Sequence, residues 1–423
     1  MARDSGKLGF NGTWSMAVGG MVGGGIFSTL GVVIRIAGPL AWLSFVSAGL
    51  VALAAGYSYV KLAAHYGEGG GAFTFLREIN AEGFAGSLSW ILLVGYVLTN
   101  AVYAFTFGQY LAHVLGQGAV VARIAAVAIM AVFMRLNLRA VGEAGGVEVF
   151  LVWFKLAVLV ALAGWGIAKW DLPMLSRGVP DAGFGAALFG AASVFMAYEG
   201  FQLLTYDYED IENPRRTLPR ALLSAIVVVI AVYVLVALGT AMLIGADQVA
   251  AHEEVALAIA GQKALGTLGL VAVTVGAAFS TGSAINSTLF ATARLAHEVS
   301  ADGELPAALE HRNRAGVPDR AVLILGGLAA LLAALGSLTS LVEMASLAFL
   351  FTFAVVCALA WRQRAGSRAV AAFGAAAGSA AAVALVIRLA RTEPAALAFL
   401  VPLVLVAIFG RPWLLGRVRT DGR

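Results

Sequence analysis

The chain has 423 residues, of which 61% are hydrophobic and 12% charged. A soluble domain carries about 25% charged residues, so this charge cannot coat a water-facing globule of such length, and the surroundings are largely lipid. The net charge of +4 comes without a long basic run, which leaves no place for nucleic acid, and the single cysteine, Cys357, excludes an internal disulfide or a Cys-based metal site.

A membrane-crossing helix needs about 20 apolar residues. The start, Met1 to Lys7, is polar and short and shows no cleavable-signal pattern. Apolar stretches then predict spans at 10–34, 38–62, 86–115, 118–137, 146–169, 184–206, 219–243, 266–296, 320–336, 338–361, 369–388 and 395–415, which makes about twelve. The predicted fold class is therefore all-α and polytopic, with no soluble domain. With twelve spans and an inside N-terminus, 20 of the 28 Lys and Arg residues fall inside. Outside fall Arg35, Arg123, Lys169, Arg177, Lys263, Arg388 and Arg391, and Lys155 lies within a span. This bias predicts cytoplasmic N- and C-termini in a cell or inner membrane.

The first span is irregular. It reads Met16-Ala-Val-Gly-Gly-Met-Val-Gly-Gly-Gly-Ile-Phe-Ser28. Glycine costs about 1 kcal/mol per helical position relative to alanine, so Gly23-Gly24-Gly25 favours an unwound stretch. Unwound backbone at membrane depth is tolerated where protein buries it or a cavity borders it. Its amides then face anions at the start of the outer half-helix, and its carbonyls face cations, which suits a zwitterionic α-amino acid. The competing reading is a close-packed interface of small residues.

The sixth span carries a second irregularity at Ala197-Tyr-Glu-Gly-Phe-Gln202, with Glu199 about midway along an apolar run. A charge at that depth costs from about 2.5 kcal/mol upward and commonly marks a pathway. Interrupted spans five apart point to a transporter site between inverted repeats.

These residues resemble the amino acid–polyamine–organocation superfamily, whose members share the LeuT-type fold. Val22-Gly-Gly-Gly-Ile-Phe27 is similar to its first-helix break. Tyr198-Glu-Gly-Phe-Gln202, with Glu209-Asp-Ile-Glu-Asn-Pro-Arg-Arg-Thr-Leu-Pro-Arg220, is similar to its sixth helix and following loop, and Ala301-Asp-Gly-Glu-Leu-Pro306 to the signature after the eighth. Glu148-Val-Phe-Leu-Val-Trp-Phe-Lys155 carries a likeness to an archaeal proton-coupled, broad-specificity amino-acid transporter of that superfamily.

The resemblance implies a 5+5 inverted repeat, 10–169 and 184–361, with 369–415 outside it and without an assigned part in the chemistry. It implies a secondary permease for an amino-acid substrate, driven by protons, with sodium coupling, polyamine transport and exchange as the alternatives. No cofactor or metal is implied. The carboxylate would lie on the amides of Gly24, Gly25 and Ile26, and the amine on carbonyls of Gly20, Met21 and Met196. Met196 and Tyr198 would border the side-chain pocket. Lys155 would be the proton carrier, beside the carbonyls of Gly19 and Val22 and the hydroxyls of Ser280, Thr281 and Ser283. Taking an ammonium out of water favours its neutral form, so a lysine buried in one conformation and wetted in another can carry a proton. A fixed ammonium or a snorkelling side chain are the bland alternatives. Glu199 departs from the apolar residue common there. It either binds a cationic substrate side chain, bonds the unwound backbone, or joins a proton path.

Other polar residues read more plainly. Asp207, Glu209, Asp210 and Glu212 stand near Arg215, Arg216 and Arg220 as a salt-bridged loop. Asn100 and Asn286 predict interhelical hydrogen bonds, and Glu343, near the end of span 10, faces water. The histidines lack metal-ligand spacing. No nucleophile–base motif supports an enzyme, and broken spans suit a carrier better than a continuous pore.

Overall fold

The computed structural model describes residues 7–67, 69, 71–79, 82–139, 145–181 and 183–406. Arg3, Arg411, Arg417, Arg419 and Arg423, Glu68, Gly70, the Glu148 side chain and the end of the twelfth predicted span lie outside the described residues.

Within them the ordered elements are helical, apart from an isolated Leu8–Ile211 bridge. Span 1 is α1 (Phe10–Met21) followed by α2 (Gly25–Ala37), and span 2 is α3 (Ala41–Tyr66). A short α4 (Gly71–Arg77) precedes α5 (Glu82–Val114), α6 (Ala119–Leu138) and α7 (Gly145–Lys169), which are spans 3 to 5. Span 6 is α8 (Gly183–Ser193) and two 3-10 turns, Phe195–Tyr198 and Phe201–Thr205. Then come α9 (Pro214–Ile244), the short α10 (Ala246–Ala251) and α11 (Ala256–Ala301). The chain closes with α12 (Asp319–Leu335), α13 (Leu338–Arg362), α14 (Arg368–Thr392) and α15 (Pro394–Leu405).

Among the described residues, eight helical stretches are long and apolar enough to cross a membrane, or nine when the bent pair Gly183–Ser193 and Phe195–Thr205 counts as one. The reading of twelve divides them more finely: Gly25–Tyr66 is one stretch here but holds parts of two predicted spans, and α12, with 17 residues, falls short in length. α11 is kinked at Leu265–Gly266, where Gly266 has φ 59°. That kink falls at the predicted start of span 8 and leaves Ala256–Ala264 as a separate helical arm.

α5 is the central post, packed on α6, α11, α12 and α13, while α7 and α3 both lean on α9. Exposed apolar residues such as Val120, Ile124 and Val127 on α6 and Val383, Val386 and Ile387 on α14 are the surface that lipid covers. Ordinary local chemistry sets several ends. Ser337 caps α13 by accepting from Ser340 N at 3.3 Å, and Gly67, at φ 75°, ends α3.

The two amides differ from each other. Asn137 Nδ2 on α6 donates to Asn286 Oδ1 on α11 at 2.8 Å, an interhelical bond as expected. Asn100 Nδ2 instead donates to Tyr96 O of its own helix at 3.1 Å, because Tyr96 O lies one turn back on the same face. Interhelical bonds in membranes contribute about 0.6 and at most about 2 kcal/mol. Asn286→Ala should therefore lower the unfolding free energy in detergent by about 1 kcal/mol without loss of the folded protein; a neutral result would show that this bond adds nothing to stability.

Candidate functional site

Span 1 breaks because Gly23 and Gly24 carry no side chain to pack a helical turn and their neighbours claim the space. A Cβ on Gly23 would sit 2.5 Å from Ala284 Cβ, and one on Gly24 2.1 Å from the Tyr103 ring. α1 stops at Met21 and α2 begins at Gly25. None of the Gly24, Gly25 or Ile26 amides donates back across the break to the preceding turn.

The freed carbonyls are taken by side chains from three other helices. Lys155 Nζ on α7 donates to Gly19 O at 3.0 Å, and Lys155 is 1% exposed. Tyr233 Oη on α9 donates to Met21 O at 2.7 Å. Ser280 Oγ on α11 donates to Val22 O. Thr281 turns away and donates to Ala277 O of its own helix at 2.8 Å. Ser283 is buried and lies three residues on from Ser280, on the same side of α11. Snorkelling is not seen for Lys155, whose head group ends inside the bundle.

Span 6 breaks at Val194–Glu199, and Gly200 adopts φ +116°. There the two breaks touch backbone to backbone: a Cβ on Gly200 would lie 2.5 Å from the Gly20 carbonyl carbon. Tyr233 also reaches Ala197 O at 2.8 Å, so one hydroxyl group spans both breaks. Met196 N donates to Ser346 Oγ at 3.0 Å, and Met196 O accepts from Glu199 N at 3.0 Å. The Tyr198 hydroxyl is committed to Phe45 O on α3 at 2.7 Å and anchors the turn, so it does not point freely into a pocket.

Glu199 is 1% exposed and sits in a polar chain. Tyr103 Oη donates to its Oε2 at 3.3 Å, and Gln202 Nε2 to its Oε1 at 2.9 Å. Gln202 also donates to Tyr96 Oη at 3.2 Å and accepts from Gly200 N at 2.9 Å. Among the described residues, no ion pair involves Glu199. Its carboxylate is tied through Gln202 to the unwound backbone of its own break.

The two ends of the bundle differ. At the end that carries Leu8, a cavity of about 750 Å³ runs in as far as Gly20 and Gly200, past Asp207, Arg294, Asn286 and Glu298. Leu8 pairs with the loop behind span 6, through Leu8 N to Asp210 O at 2.8 Å and Glu212 N to Leu8 O at 2.9 Å. The loop's ion pair is Asp207 with Arg294 of α11 at 3.7 Å. Arg215, Arg216 and Arg220 make none among the described residues, since they sit on the first turns of α9 and are carried away from the acidic turn. Burial pushes the Asp207 carboxyl up, with Arg294 opposing.

The other end is shut. Arg35 on α2 meets Glu253 at 3.2 Å and donates to Thr339 Oγ1 on α13 at 2.7 Å. A Cβ on Gly31 would lie 2.1 Å from Glu253 Cα, so that loop presses directly on α2. Burial pushes the Glu253 carboxyl up, with Arg35 opposing.

Glu343 overturns its expectation. It is fully buried, because α14 covers that side of α13 and brings Arg388 Nε to Glu343 Oε1 at 2.7 Å. The residues that reading the sequence missed, Tyr103, Tyr233, Ser346 and Arg388, are ordinary residues of spans, and only their long-range contacts single them out.

The description that matches the chain over residues 8–413 is that of an amino acid permease. The chain belongs to the amino acid permease family. The permease is 33% identical to an uncharacterised protein of Methanocaldococcus jannaschii, over 70% of its own length and 69% of that protein's. It is 31% identical to the inner membrane transport protein YbaT of Escherichia coli, over 83% and 82%. It is 23% identical to the serine/threonine exchanger SteT of Bacillus subtilis, over 69% and 67%. The family is one of transporters and not of enzymes.

The Gly20–Gly200 contact leaves no room for a methyl group and requires a left-handed residue on the span 6 side. Gly200→Ala should abolish amino-acid binding by the purified permease, measured by thermal-shift titration. Retention of a ligand-induced shift would show that the two breaks need not touch.

Proposed function

We propose that the permease moves amino acids across the membrane by alternating access, coupled to protons, with the substrate held between the breaks of spans 1 and 6. The observation that carries this reading is the buried Lys155 ammonium on Gly19 O, placed where a cation can report on the position of span 1. The Gly24, Gly25 and Ile26 amides, around the start of α2 and unspent on the preceding turn, suit a carboxylate, although the Ile26 amide meets the Tyr233 hydroxyl. The carbonyls of Gly20, Met21 and Met196 suit the amine, although each already accepts one hydrogen bond, from Gly23 N, the Tyr233 hydroxyl and Glu199 N. The inverted repeat, 10–169 against 184–361 with 369–415 outside, belongs to the same reading. So do cytoplasmic termini in a cell membrane, supported by the distribution of basic residues. In that orientation the cavity faces the cytoplasm, and the Arg35–Glu253 closure faces out.

The carboxylate of Glu199 is engaged by Tyr103 and Gln202, which favours a role in shaping the break over a role in binding a cationic side chain.

Two variants in proteoliposomes test these roles. Lys155→Ala should lose accumulation driven by an imposed pH gradient; full pH-dependent accumulation would remove Lys155 from the coupling, and a requirement for sodium at fixed pH would replace protons as the driver. Glu199→Gln should change the KM by up to about tenfold, as expected for one ordinary hydrogen bond, without reordering neutral and basic amino acids in a substrate panel. Selective loss of the basic ones would assign Glu199 to their side chains. Because SteT is named an exchanger, net uptake into empty vesicles against uptake into preloaded ones separates symport from exchange.

A further inference from the structure

Span 10 holds the break of span 6 from both sides. Ser346 Oγ on α13 accepts from Met196 N at 3.0 Å and donates to Ser193 O at 2.8 Å. Glu343 lies three residues earlier on the same face, and its Oε1 accepts from Ser193 Oγ at 2.9 Å. α8 ends at Ser193 and the first 3-10 turn begins at Phe195, so these two side chains grip the point where the span bends by 57°.

Glu343 does not hold itself in place. Arg388 Nε, on α14, donates to the same Oε1, while Oε2 has no hydrogen-bond partner among the described residues. Both donors thus converge on one oxygen, and the arginine fixes where that oxygen stands. Hydrogen bonds to an ionised acceptor are about twice as strong as neutral ones, so the Ser193 hydroxyl is a strong tie between α8 and α13. The tie lies on the closed side of the break, along the same α13 whose start meets Arg35 through Thr339.

We propose that Glu343, clamped by Arg388, is a positioning residue for transport: it holds the α8 half of span 6 against span 10 while the Arg35–Glu253 end is shut, and Ser193 leaves it when that end opens. Span 11, outside the proposed repeat, thereby biases the conformational equilibrium. The inference rests on the alternating-access reading above.

The sole cysteine, Cys357, is buried on α13 and serves as an internal reporter of unfolding. Ser28 is fully buried on α2, one turn below the Gly31 that presses on Glu253. In full-length permease reconstituted in liposomes, Ser28→Cys can be labelled with a membrane-impermeant maleimide added from the Arg35 side. Ser193→Ala removes the tie and leaves the Arg388–Glu343 pair, and the population of the open form should rise. The expected result is labelling at position 28 about three- to tenfold faster in Ser193→Ala, and at the parent rate in Ser193→Thr, which keeps the hydroxyl. Ser346→Ala should speed labelling in the same direction. Equal rates in Ser193→Ala and its parent would overturn the proposal. So would faster labelling of Cys357 in the Ser193→Ala variant that retains Ser28, since that result means unfolding. Labelling of the parent at position 28 that ignores a saturating mixture of the panel amino acids would count against alternating access, whereas the difference between the serine variants would still decide the tie.

Discussion

A helix that breaks away from water needs partners for the backbone groups it frees, and those partners come from the protein or from what it binds. In span 1 that constraint recruits Lys155 from α7 for Gly19 O, Tyr233 from α9 for Met21 O and Ser280 from α11 for Val22 O. One side chain from each of three helices is thereby aimed at three carbonyls of one short segment. In span 6 it recruits Ser346 from α13, and Gln202 from the span itself. The Tyr233 hydroxyl, with its one hydrogen, lies within reach of a carbonyl of each break. A shift of either break therefore requires its side-chain partners to move or to let go, and this couples backbone position to the surrounding bundle.

The packing follows from the same arrangement. The two breaks meet at Gly20 and Gly200, where neither chain has a side chain to hold them apart. Tyr103 lies over Gly24 and ends on Glu199, so α5, the most centrally packed helix, closes the third side. Polar contacts within this apolar bundle are correspondingly concentrated. Many lie at the breaks, in the charged cavity on one side and in the Arg35–Glu253–Thr339 closure on the other.

The class of fold was legible from composition, because so little charge leaves lipid as the surroundings, and the glycine run was legible because three successive glycines in an apolar stretch have few other uses. Lys155 and Glu199 stood out because charge within a span is costly. What stayed hidden depends on distance along the chain. Glu343 read as wet because it is near a span end, yet Arg388 lies 45 residues away and covers it from another helix. Arg388 itself read as one more outward charge. Tyrosines and serines within spans carry no signal of their own, so Tyr233 and Ser346 could not be chosen from many similar residues. The loop behind span 6 misled for a related reason: neighbours in sequence suggested pairing within the loop, whereas α9 carries its arginines away and Asp207 finds Arg294 on α11. Length and hydropathy alone find eight or nine crossing stretches among the described residues, because a break or a short helix divides or joins the twelve predicted ones.

Lys155 and Glu343 hold the two breaks by different physics. Lys155 grips a neutral carbonyl. Such a bond is charge-assisted when the amine is protonated and weaker when it is neutral, although the amine still donates. Its strength can therefore vary with proton occupancy while its geometry persists, which is the property the proposed coupling needs. Glu343 is the reverse case, a carboxylate whose charge is answered by Arg388. Removing one member of such a pair leaves an uncompensated buried charge and costs about 3–5 kcal/mol, so the pair resists change and suits a fixed anchor. Of the two grips, the one on span 1 is adjustable and the one on span 6 is rigid on its α13 side, so in the proposed cycle movement at span 6 is taken up by the single Ser193 bond and its Ser346 neighbour. In the proposed cycle, that division would let Lys155 act on span 1 without loosening the frame that Glu343 and Arg388 give span 6.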